Sequence, residues 1–153
     1  MRRKDKEINV PDVLEGIVKR AFVCRLAMSV NDEPYVVPLN FGYRDGVLYF
    51  HSAGEGKKIE MLRKNNRVCF EIDLDHEMVV SDKPCDWGFK YRSIIGFGRA
   101  ELITEPEGKR NAFDIIMAHC GAQGPYAYKE KGFEKACIIK VTIESMTGKQ
   151  SGY

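Results

Sequence analysis

The apolar and aromatic stretch from Tyr35 to His51 can reverse direction only at Arg44-Asp45-Gly46. A turn that short joins antiparallel strands, never the parallel strands of a βαβ unit, whose crossover takes a dozen residues or more. Tyr35–Tyr43 and Val47–His51 are therefore expected to be neighbouring strands. Upstream, Asn31-Asp32-Glu33-Pro34 returns the run Ala21–Val30 in the same way, which makes the first half of the chain a three-strand meander. A helix precedes it, because Val13, Leu14, Ile17 and Val18 fall on one face after Pro11, with Asn9 placed to cap the start.

The second half reads as more of the same architecture. His51-Ser52-Ala53-Gly54-Glu55-Gly56 leads into a helix that begins at Lys57-Lys58 and should end near Asn65 and Asn66. Arg67–Leu74 is a fourth strand, residues 75–90 are rich in turn formers and read as a long loop, and residues 91–104 form a fifth strand with glycines at 96 and 98. Thr104 followed by Glu107 fits a capping box for a helix through Phe113, Ile116 and Met117 that stops near Gly121. Ala136–Ser145 is a last strand before a tail. The expected fold is mainly β: a small antiparallel barrel of about six strands with helices outside it, in a single domain over residues 1–153.

Charge and cysteine usage exclude several classes. Lys and Arg number 24 against 22 Asp and Glu, a formal charge of +2, which leaves no broad basic face for nucleic acid. The cysteines, Cys24, Cys69, Cys85, Cys120 and Cys137, contain no CxxC pair and predict neither a zinc site nor a disulfide framework. Cys24, Cys69 and Cys137 lie in apolar runs, where a thiol packs as a small hydrophobe. No apolar run reaches the ~20 residues of a membrane helix, and the N-terminus lacks the apolar core of a signal peptide. A cytoplasmic location is expected.

The Gly-rich turn carries the chemistry. A helix N-terminus already bears positive partial charge and unpaired N–H groups, so Lys57 and Lys58 are misplaced for helix stability and well placed for an anion. A phosphate would meet backbone N–H groups, the Ser52 hydroxyl and two ammonium groups, with Gly54 and Gly56 allowing close approach. The same residues also read as an ordinary strand-to-helix loop whose lysines point into water.

Taken together, residues 34–62, RVCFEID, CDWGFKYRSIIGFGRAEL and the late MTGK closely resemble the flavin-binding split-barrel superfamily of pyridoxamine 5′-phosphate oxidase, and within it the nitroimidazole-resistance branch. The resemblance runs in order from Ala21 to Lys149. It implies a six-stranded antiparallel split barrel that binds FMN at the interface of a homodimer. It also implies that Pro38, Leu39 and Asn40 lie along the flavin ring, that His51, Ser52, Gly56, Lys57 and Lys58 hold the phosphate end, and that Ser93 touches the flavin. Gly56-Lys57-Lys58 stands where the oxidase has Ser-Arg-Lys, and the chain lacks the arginine- and histidine-bearing end that grips pyridoxal phosphate, so vitamin B6 oxidation is not expected.

Other residues have two readings. Trp87 either roofs the flavin or packs at a core or dimer interface; Arg92 serves an anionic substrate or pairs with an acid; Lys149 lies near the partner's site or in a solvated tail. His76 and His119 read as structural or exposed, and no metal ligands are assigned. The function implied is an FMN-dependent oxidoreductase that passes electrons from a reduced nicotinamide to a small acceptor such as a nitroimidazole, with no catalytic acid or base named. The alternative is a flavin or haem carrier of the same fold.

Overall fold

The structure is a computed structural model that describes residues 2–153. Its strands are β1 (Glu7–Ile8), β2 (Val23–Val30), β3 (Glu33–Asn40), β4 (Gly42–Arg44), β5 (Val47–Ala53), β6 (Arg67–Val79), β7 (Gly88–Ile103) and β8 (Ala136–Ser151). The helices are α1 (Pro11–Arg20), α2 (Lys57–Lys64), α3 (Pro106–His119) and α4 (Glu130–Lys135). All strand pairs are antiparallel, in the order β3-β2-β6-β7-β8-β5-β4 with β1 on β8. β3 and β5 touch without being hydrogen-bonded neighbours, which is the split in the barrel. The expected mainly β split barrel is thus present, with eight strands rather than six.

Turn chemistry explains the first hairpins. Asn31 and Asp32 have φ of 51° and 62°, and Asp45 and Gly46 have 50° and 77°, the two-residue pattern whose twist matches antiparallel strands. Glu33 and Pro34 consequently belong to β3, paired with Val30 and Ser29, instead of to the turn. β3 is an edge strand, so Pro34 and Pro38 cost it no ladder donor. The expected strand Tyr35–Tyr43 breaks after Asn40. At Gly42 an added Cβ would lie 2.7 Å from the Ile116 backbone, so the chain passes directly against α3.

Long-range pairing overrides local pattern in two places. Residues 75–90 are strand at both ends: after a bulge at Leu74/Glu77, pairing resumes at Glu77 with Lys90 and runs to Val79 with Gly88. Only the tip is irregular, and there Trp87 Nε1 donates to the Ser81 carbonyl at 2.6 Å. The tail is strand as well, with Tyr91 opposite Ser151 and Glu7 opposite Lys149. Gly98 sits at a register shift in the β7–β8 pair, and Gly96 lies under the Phe70 ring.

Neither expected helix cap forms. Val10 is the N-cap of α1, its carbonyl accepting from Val13 and Leu14, and Asn9 stands one residue too early. Pro106 in the first turn of α3 moves that cap to Glu105, so Thr104 does not bond into the helix.

One core fills the barrel, led by Phe41, Phe50, Phe70, Leu26, Leu48, Ile72, Ile94 and Ile139. Cys24 and Cys137 are buried in it; Cys69 instead points outward and is half-buried. A second cluster, Ala112, Ile116 and Ile138, seats α3 on the outside of β5 and β8. On the outer face of β2, β3 and the adjoining part of β7, Val23, Val36, Ile95 and Phe97 are exposed. No helix among the described residues is long and apolar enough to cross a membrane.

Candidate functional site

The first part of the site is the start of α2. Gly56 is its N-cap, with φ 100°, a conformation that side-chain-bearing residues rarely adopt, and no side chain caps the helix. The Gly56 carbonyl accepts from Ile59 at 3.0 Å and Glu60 at 3.1 Å. Among the described residues no backbone carbonyl pairs with the Lys57 or Lys58 N–H, so both donors are open at the positive end of the helix. The Lys57 ammonium lies 2.6 Å from Glu33 Oε1 and 4.8 Å from the Tyr35 ring centre. Their hydrogen bond raises the Lys57 pKa and holds the Glu33 carboxyl below its usual range. Lys58, half-buried, has no ion pair among the described residues.

The second part is the open face of the sheet, assembled by strand register. Paired residues share a face. One row runs Pro38, Arg25, Glu71, Ile95, Thr147; the next runs Val36, Ala27, Cys69, Phe97, Ser145. On the other side of the Pro38 row lie Asn40 with Val23, and Asp73, Ser93 and Lys149. Pro38, Asn40 and Ser93 therefore look out from one surface, whereas Leu39 turns inward onto the core. The Asn40 amide donates to the Phe22 carbonyl at 3.0 Å. A cleft of about 400 Å³ lies along the Cys69–Phe97 row, lined also by Ala27, Pro34 and Arg67.

His51 and Ser52 diverge. Ser52 is buried and its hydroxyl donates to the Ala53 carbonyl at 2.9 Å. His51 faces out on the α3 side, its ring 6.1 Å from Phe113, in a cavity of about 280 Å³ lined by Tyr128 and Phe133. Arg92 donates to Asp75 Oδ2 at 2.6 Å and stacks 4.0 Å from the Tyr153 ring centre, so it is paired with an acid. Lys149 is in β8, its ammonium 5.5 Å from the Tyr91 ring centre, and is not part of a solvated tail. Trp87 is 52% exposed at the tip of the β6–β7 arm. His119 Nε2 is 2.7 Å from the Ala21 carbonyl, a structural contact.

Sequence reasoning passed over a polar network on the open face. Arg25 bonds Glu71 at 2.9 Å and also Asp73, and His76 Nε2 lies 2.7 Å from Asp73 while its ring stacks on Phe89 at 5.7 Å. Burial, and then the Asp73 charge, raise the Glu71 pKa. The available signal was charge at alternate positions, Glu71 and Asp73, between the apolar Phe70, Ile72 and Leu74. Glu33, a turn residue by sequence pattern, proves to be the carboxylate partner of Lys57.

A profile of the family described as pyridoxamine 5′-phosphate oxidase matches residues 12–150. The uncharacterised protein RA0666 of Rhizobium meliloti (strain 1021) is 34% identical over 144 residues, 88% of each chain. A solved structure from Bacteroides thetaiotaomicron VPI-5482, assigned provisionally as a 5-nitroimidazole antibiotic resistance protein, is 36% identical; the match covers 94% of this chain and 86% of that one, with a TM-score of 0.82. A FAD-binding protein from Mesorhizobium loti is 26% identical over 94% of this chain and 96% of its own, with a TM-score of 0.68. With its split barrel and a profile match over nearly its whole length, the chain belongs to the pyridoxamine 5′-phosphate oxidase family.

Proposed function

We propose that this chain is a single-domain, cytoplasmic FMN-dependent oxidoreductase that works as a homodimer and reduces a small acceptor, such as a nitroimidazole, with electrons from a reduced nicotinamide. The observation that carries the reading is the start of α2. Two lysines and two open backbone N–H groups stand at an uncapped, glycine-initiated helix N-terminus beside β3, a donor set suited to a phosphate monoester. In this reading Gly56, Lys57 and Lys58 bind the phosphate, with Ser52 behind the turn and His51 reached from the α3 side. Pro38, Leu39 and Asn40 follow the flavin ring, and Ser93 meets it from β7.

Bound flavin would supply the hydride and electron chemistry. The protein's share is to orient the ring, exclude water from one side and leave room for the acceptor. The open face supports a second copy there, since Val36 (54%), Ile95 (50%) and Phe97 (50%) are exposed together on it, and contiguous exposed apolar surface marks an association site. The 26% identical FAD-binding protein and the 36% identical relative provisionally assigned to nitroimidazole resistance support the choice of chemistry.

The test is the visible spectrum of the purified protein, before and after anaerobic addition of reduced nicotinamide. A two-banded flavin spectrum that bleaches supports the reductase. A flavin spectrum that persists replaces it with a carrier, and a Soret band replaces flavin with haem.

A further inference from the structure

We infer that Glu33 competes with the phosphate of the ligand for Lys57, and so sets how tightly the start of α2 binds a phosphate-bearing molecule; this rests on the phosphate reading above. The two lysines are not equivalent. Lys57 is engaged by the Glu33 carboxylate at 2.6 Å and by the face of Tyr35, whereas Lys58 has no ion pair among the described residues.

Glu33 is held in place by its surroundings. It opens β3 directly after the Asn31-Asp32 turn, and the same hairpin grips the other end of α2, where Asn65 Nδ2 donates to the Ser29 carbonyl at 2.9 Å. The hairpin thus brackets α2 at both ends and presents one carboxylate to its first ammonium. Between them lies a groove of about 430 Å³ that also carries Glu60 and Lys64. A phosphate that takes Lys57 draws on the same three N–H donors that Glu33 uses, and the carboxylate already offsets the positive potential that the phosphate would meet there. Repulsion between the carboxylate and the phosphate adds to the competition.

An exposed ion pair is weak, so the change in affinity it can impose is at most about five-fold. Glu33→Gln keeps the shape and removes the charge. The experiment titrates FMN and riboflavin, which lacks the phosphate, into the wild type, Glu33→Gln, Lys57→Ala, Lys58→Ala and the Glu33→Gln/Lys57→Ala double variant at low ionic strength, followed by flavin fluorescence. The expected result is FMN binding about two- to five-fold tighter in Glu33→Gln, riboflavin binding unchanged, and a smaller effect of Glu33→Gln in the Lys57→Ala background, where only the carboxylate–phosphate repulsion is relieved. Unchanged or weaker FMN binding in Glu33→Gln, with weaker binding in Lys57→Ala, overturns the competition and leaves the phosphate reading standing. FMN binding that Lys57→Ala does not alter, with Lys58→Ala equally silent, overturns both.

Discussion

His51 and Ser52 are consecutive in the chain and lie on opposite sides of β5: Ser52 is sealed into the barrel, and the His51 ring stands against Phe113 on the α3 side. Strand alternation separates two side chains that the family resemblance assigns to one end of a ligand. Ser52→Ala removes a buried hydrogen bond and should cost about 0.5–1.5 kcal/mol. His51→Ala, at an exposed position, should stay within about 0.5 kcal/mol of wild type. Urea unfolding of the two variants measures both.

Gly42→Ala tests the packing of α3 on β4. The new methyl would meet the Ile116 Cα and N at 2.7 Å, and backbone atoms yield less readily than side chains. A loss of about 1–3 kcal/mol is expected, read as a lower urea midpoint with unchanged slope.

Lys109 is a buried cation with no carboxylate partner among the described residues: its ammonium donates to the carbonyls of Phe133 at 2.6 Å, Glu134 at 3.1 Å and Ala136 at 3.1 Å, where α4 enters β8. Lys109→Met leaves those carbonyls without their donor, at a cost of about 1–3 kcal/mol. Because the contact ties α3 to α4, faster hydrogen exchange and proteolysis are expected first in residues 129–136.

Asp75 ties three segments together. Arg20 reaches it with bonds of 3.1 and 2.6 Å, Arg92 with one of 2.6 Å, and the Tyr153 hydroxyl donates to its carbonyl at 2.6 Å. The Arg20 hydrogen bond, followed by that from Arg92, opposes the effect of burial and holds the Asp75 carboxyl below its ordinary value of 3.8. A depressed folded-state pKa gives stability that is present above the unfolded value and lost as pH falls through the folded one. Asp75→Asn should therefore lower stability at neutral pH and flatten its decline below about pH 4, as thermal melts across an acid series would record.

Phe97→Lys places a charge in the middle of the open face, opposite Cys69 and Ser145. If a second copy covers that face, the variant should be monomeric by light scattering and bind flavin more weakly, with its circular dichroism unchanged. A variant that remains dimeric would move the interface elsewhere on the surface.

Much of this protein is written locally. The turns at Asn31-Asp32 and Asp45-Gly46, the apolar stripe of α1, and the strand-to-helix passage into Lys57-Lys58 follow from turn chemistry and periodicity, because each depends on residues a few positions apart. The candidate phosphate end is legible for the same reason, since Gly56, Lys57 and Lys58 are contiguous. Family resemblance in the sequence likewise foretold the split barrel, which no single segment specifies.

The remainder was decided by partners distant in the chain. Residues 75–79 become strand because residues 88–90 lie opposite, and residues 146–151 because β7 and β1 flank them. Gly42 ends β3 through its contact with α3, more than 70 positions away by the numbering of Gly42 and Ile116. Register alone gathers Pro38, Asn40, Asp73 and Ser93 on one face and turns Leu39 and Ser52 away from it. A one-residue slip would invert every one of those assignments, and it is the closing of the sheet around a single core, rather than any local preference, that forbids the slip.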